Sequence, residues 1–174
     1  MSQPIDTPLT AAAPSYPLWV DYWLMHFTIF VWGFTGILGK LITLPSTVLV
    51  WYRMGIAALG LLIWLGLRGK KVALTGKAGW QTLGIGLVIA LHWIFFFEAI
   101  KVSTVSVALA CMSTTSLFVS IIEPILFKRK IIGYEVLLGL LVIAGLALIF
   151  SFEQEYALGI VLAVASAFLA GIFG

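Results

Sequence analysis

Apolar residues along this chain come in unbroken runs and not in alternation. Five runs have the length of a membrane span, at residues 21–42, 46–67, 80–100, 104–127 and 132–152. A helix rises ~1.5 Å per residue, so each run can cross the ~30 Å hydrocarbon core of a bilayer. Continuous runs predict helices, because the strands of a membrane barrel alternate. A sixth run begins near Tyr156 and reaches Gly174 through "FLAGIFG" with no polar or basic residue after it. The pattern predicts an all-α membrane protein, a polytopic helical bundle of five spans plus the start of a sixth helix. It divides the chain into a disordered tail (1–20), the five-span bundle (21–152), and an outer loop with a truncated sixth helix (153–174).

The polar positions between the runs set the orientation. Arg68, Lys70, Lys71 and Lys77 fill one connection, and Lys128, Arg129 and Lys130 fill another. The opposite side has Lys40 and Lys101, with the acidic Glu153 and Glu155. Seven bases against two place the first group in the cytoplasm, and with it the N-terminus, in a multi-pass protein of the cell's inner membrane. Trp19, Tyr22, Trp23 and Trp80 suit the inner interface.

Composition agrees. The chain is 62% hydrophobic and 10% charged, against about 25% charged in soluble domains. Its net charge of +3 lies in span connections, which points to membrane topology and away from nucleic acid. The single cysteine, Cys111, can form neither an internal disulfide nor a thiolate cluster. No HExxH and no phosphate loop occurs, so no enzyme, metal or cofactor is expected.

Ionisable residues inside apolar runs cost a few kcal/mol each, and therefore carry the candidate chemistry. Arg53 lies seven residues into the second run, roughly 10 Å deep. It either snorkels to headgroups or faces a cavity, where it meets an anionic solute group or Glu98. Glu98 either pairs with Lys101 three residues on or joins Arg53 in an outer gate. His92, followed by Trp93, is either a neutral ring bonded to a neighbouring helix or a contact for solute or proton. Glu123 precedes Pro124, where the helix can bend because proline has no N–H. The carboxylate either reaches the Lys128 cluster or faces a cavity with His26, at an inner gate or coupling site. In "CMSTTS", Ser113 and Thr114 lie near the midplane, where hydroxyls bridge helices or line a solute site.

Several of these segments together resemble the EamA-like family of the drug/metabolite transporter superfamily. They are "FTIFVWGFTGILGKLI" with Trp32 and Gly33, "LPSTVLVWYRMGIAALGLLIW" with Arg53, the stretch from "WIFFFEAIK" to "EPILFKRKI", and "GYEVLLGLLVIAGLALIF". The resemblance runs from Trp23 onward. It implies one five-helix inverted repeat, the N-terminal half of a ten-span secondary transporter, with the sixth run opening a second repeat missing from this chain. It further implies alternating access and export of small metabolites or amino-acid-like solutes. Trp32, Arg53, His92, Trp93, Ser113 and Thr114 are then the solute-facing residues, and His26, Glu98 and Glu123 the gate or coupling residues. The expected partners are the lipid bilayer, a small solute and the second repeat, with dimerisation through helix faces left open. A non-transporting membrane scaffold is the other function class that fits. A small multidrug-type dimer needs an acid in the middle of the first span, and Asp21 comes too early.

Overall fold

The computed structural model describes residues 17–70, 76–150 and 154–174. Residues 1–16 of the expected tail, Lys71 and Glu153 lie outside the described residues. All the regular structure described is helical: α1 (Leu18–Leu41), α2 (Ser46–Leu67), α3 (Gly76–Val102), α4 (Val105–Met112), α5 (Thr115–Phe127), α6 (Gly133–Phe150) and α7 (Ala157–Phe173), with a 3₁₀ turn at Gln154–Tyr156. The first helix starts at Leu18, three residues before the expected Asp21. Among the described residues, three single helices, together with the α4–α5 pair taken as Val105–Phe127, are long and apolar enough to cross a membrane. The 18 residues of α6 make a shorter element, about 27 Å.

Two compact units divide the chain, Met1–Thr35 and Gly36–Gly174. The described part of the first is the body of α1. There the Phe30 and Phe34 rings meet edge-to-face at 5.1 Å, and the Thr28 hydroxyl donates to the Leu24 carbonyl. Trp19, Tyr22, Trp23 and His26 line a shallow cleft on one face.

In the second unit α7 lies against α3, α4 and α5. Its buried face carries Gly159, Ala163, Ala167 and Gly171, four residues apart, with Ser166 and Ala170 beside them. Residues at this spacing share one side of a helix, and small ones let backbones approach closely in lipid. Gly159 meets Ala99 and Ser103, and Ser166 meets His92, so α3 and α7 run antiparallel. Val50, Phe96, Phe97, Ala99, Ile100, Val107, Ala108, Cys111 and Ala163 form the core. Most large apolar side chains elsewhere point outward, as lipid-facing surface requires (Trp51, Ile56 and Leu67 on α2 are at least 70% exposed).

The span expected at 104–127 is two helices. At Ser113 and Thr114 the backbone tightens to φ −63°, ψ −19° and φ −68°, ψ −12°. The Ser113 and Thr114 amides reach back three residues, to the carbonyls of Ala110 and Cys111, in 3₁₀ fashion. The hydroxyls of Ser113 and Thr114 donate to those same two carbonyls at 2.6 and 2.7 Å. A serine–threonine run can therefore break a helix in lipid without baring its carbonyls. Pro124 lies inside α5, which continues to Phe127.

Lys128 then turns the chain with φ 52°, ψ 37°, the left-handed conformation, and the Arg129 amide closes on the Pro124 carbonyl at 3.0 Å. That conformation costs an L-residue about 1–2 kcal/mol and glycine almost nothing. Part of the gain from glycine is offset by losing a cation at a helix C-terminus, about 0.3–1 kcal/mol. Lys128→Gly is expected to raise the thermal unfolding midpoint in detergent by roughly 1–4 °C.

Candidate functional site

The small face of α7 brings a polar pair into the apolar core. His92 on α3 is 4% exposed and Ser166 on α7 is 0% exposed, so each must find its partners within the protein. The Ser166 hydroxyl donates to the His92 backbone carbonyl at 2.9 Å. The His92 Nδ1 lies 2.9 Å from the Ser166 carbonyl, which can only accept. The neutral ring is thereby assigned its proton on Nδ1, leaving Nε2 as an acceptor.

From His92 an aromatic series leads to α2. The His92 ring meets Trp93 edge-on at 5.0 Å and Phe173 edge-on at 5.3 Å. Trp93 stacks on Phe97 at 5.6 Å. The Arg53 guanidinium lies over the Trp93 ring, 3.7 Å from its centroid. Stacking of this kind contributes about 0.5–2 kcal/mol and uses the flat face of the guanidinium. The N–H edge stays available, and Arg53 makes no hydrogen bond among the described residues. Arg53, Trp93, His92 and Ser166 thus form one continuous polar and aromatic path across α2, α3 and α7. Chemically, it offers a cation with free N–H donors beside flat apolar faces, a setting for an anionic or planar solute group.

The other candidate residues are placed as follows. Trp32 and His26 belong to the first unit; Trp32 is exposed, and His26 Nδ1 contacts the Tyr22 carbonyl at 2.7 Å. Ser113 is exposed and Thr114 buried, both at the α4–α5 break. Glu98 is partly buried, and no ion pair joins it to Arg53 or Lys101 among the described residues. Glu123 pairs with Arg129 at 2.6 Å and lines a pocket of about 400 Å³ with Val119, Ile122 and Gly171. It thus contacts one residue of the basic cluster and lines a pocket to which His26 does not contribute.

Some participants escaped the sequence reading. Ser166 did so because it is a lone serine in an apolar run. Its signal is the four-residue spacing of Gly159, Ala163, Ala167 and Gly171, which marks the face it shares. Lys40 and Lys101 are bases near span ends in the sequence. Lys40 Nζ donates to the carbonyls of Ile100 and Ser103, each at 2.8 Å, and to Lys101 at 3.4 Å. Lys101 Nζ donates to the carbonyls of Ile42 (3.3 Å) and Leu44. A basic residue in the last turn of each helix was the available signal. Among the described residues no three His, Cys, Asp or Glu side chains gather as a metal-ligand set.

Residues 19–151 match the sequence profile of the EamA-like transporter family. No curated protein and no solved structure matches the chain.

Proposed function

Because the chain belongs to the EamA-like transporter family, we propose that it forms one half of a secondary transporter that exports small metabolites or amino-acid-like solutes. A site near the midplane is exposed to the two sides of the membrane in turn, as one helical repeat moves against a second. The protein lies in the inner membrane with its N-terminus in the cytoplasm, a reading supported by the basic connections.

The observation that carries this reading is the Arg53 guanidinium, stacked on Trp93 with its N–H edge unspent. An arginine held in a span is costly unless something anionic or aqueous meets it. Arg53, Trp93 and His92 are the principal solute contacts, and Ser113 and Thr114 complete the lining; Trp32, in the first unit, is a separate candidate contact. Arg53 and Glu98 form the outer gate by pairing in another conformation. Glu123, half-buried beside its pocket, serves the inner gate or coupling, and His26, in the first unit, is a separate coupling candidate.

Glu123→Gln tests the coupling role. An exposed ion pair contributes about 0–1 kcal/mol, so the unfolding midpoint should scarcely change. Solute flux in proteoliposomes, and its pH dependence, should change. Unaltered flux and pH profile remove Glu123 from the mechanism. A metabolite profile of cells with and without the gene identifies the solute, and absence of any flux leaves a scaffold role in place of a carrier.

A further inference from the structure

The end of the bundle where α3 finishes presents a cluster of carbonyls. Three of them, from Ile100, Lys101 and Ser103, converge on one point, the Lys40 ammonium, at 2.8, 3.4 and 2.8 Å. An ammonium has three N–H donors, and here each has an acceptor. The carbonyls stand at the C-terminal end of a 27-residue helix, the negative end of its dipole. No carboxylate takes part among the described residues, so the recognition consists of N–H donors meeting backbone oxygens.

The cluster is held rigidly. Gly36 and Gly39 let the last turns of α1 lie on Val105 and Phe97, which carries Lys40 to the α3 terminus. On the other side Gly159 of α7 presses on Ser103, whose hydroxyl is bonded to the Ala99 carbonyl at 2.6 Å. Lys101 answers from α3 by holding the Ile42 and Leu44 carbonyls, which fixes the connection after α1. The Lys40 side chain itself is exposed, so its position is open to exchange with solution.

We infer that the carbonyls of Ile100, Lys101 and Ser103 form a binding site for a primary ammonium group, and that Lys40 is its tethered occupant. A free primary amine takes the site when the tether is absent. A quaternary ammonium, having the charge but no N–H, does not. In the transporter reading above, a solute bearing a primary ammonium group is the class that competes with Lys40 here and loosens this end of the bundle. That last step alone rests on the transporter reading.

The experiment uses purified protein in detergent and two probes, methylammonium chloride and tetramethylammonium chloride, at equal ionic strength. Lys40→Ala should have a lower thermal midpoint than the parent protein. Methylammonium at about ten times its dissociation constant should raise that midpoint by roughly 3–6 °C, and tetramethylammonium should not. The parent protein, with its site filled, should respond equally weakly to both salts. If Lys40→Ala yields no folded protein, extraction in methylammonium should restore the yield where tetramethylammonium does not, and Lys40→Gln should show the same discrimination. Equal responses of the variants to the two salts, or none to either, overturn the proposal. Neither result depends on whether the protein transports anything.

Discussion

Gly159→Val is expected to leave little folded protein in the membrane. A Cβ at this position would stand 2.5 Å from the Ser103 Cβ and Oγ and 3.2 Å from the Ala99 carbonyl oxygen. Ser103 cannot swing aside cheaply. Its hydroxyl is bonded to Ala99 and its carbonyl to Lys40. The helices must therefore part, which strains a packed interface at about 1–3 kcal/mol. Parting also stretches the His92–Ser166 contacts two turns along, up to ~1.7 kcal/mol per bond in a membrane protein. The sum, up to roughly 6 kcal/mol, is a large share of a typical stability of about 5–15 kcal/mol. A fall of roughly 5–20 °C in the thermal midpoint is expected. Gly145→Ala is the control, because a Cβ there meets nothing within 4 Å. Equal behaviour of the two variants would mean that α7 does not pack on α3 as described.

Arg53→Met is expected to act in the opposite manner, with little effect on folding and a large effect on flux. Its stacking on Trp93 contributes about 0.5–2 kcal/mol, part of which a thioether over the ring retains. A charge-assisted hydrogen bond to an anionic solute group contributes about 1.5–3 kcal/mol, which corresponds to a loss of about 10- to 100-fold in kcat/KM for transport. Arg53→Lys should recover only part of this, since an ammonium cannot lie flat on Trp93 and offer a two-pronged edge at once. Flux measurements in proteoliposomes across the three forms decide the matter. Undiminished flux in Arg53→Met would return Arg53 to a purely structural place beside Trp93.

What the sequence disclosed follows from which forces are local. Span positions were legible because ~20 consecutive apolar residues have one stable arrangement in lipid. The observed helices fall within those runs, apart from boundaries such as Leu18 in place of Asp21. Arg53 and His92 stood out because ionisable groups are rare in spans, and both lie against the Trp93 ring. The partner of His92 was not legible. Only packing decides that Ser166, 74 residues away, meets it. The bend was expected at Pro124 because proline is a strong local signal. The break came at Ser113–Thr114, where the hydroxyls of Ser113, Thr114 and Ser116 bond their own backbone. The Glu98–Lys101 contact, one of the two settings the sequence offers Glu98, meets a competitor in the carbonyls of Ile42 and Leu44, which Lys101 holds.

The joint between α4 and α5 has a mechanical consequence. At Ala110 and Cys111 the carbonyls are already satisfied by amides and hydroxyls three residues ahead, so the angle between the two cylinders can vary without exposing either oxygen to acyl chains. α4 is fixed in the core through Val107, Ala108 and Cys111, and α5, which carries Glu123, is seated against α6 and α7 at Gly139 and Gly171, so any swivel at the joint slides over those two glycines. Articulation of this kind lets one end of a span move while the other serves as its anchor.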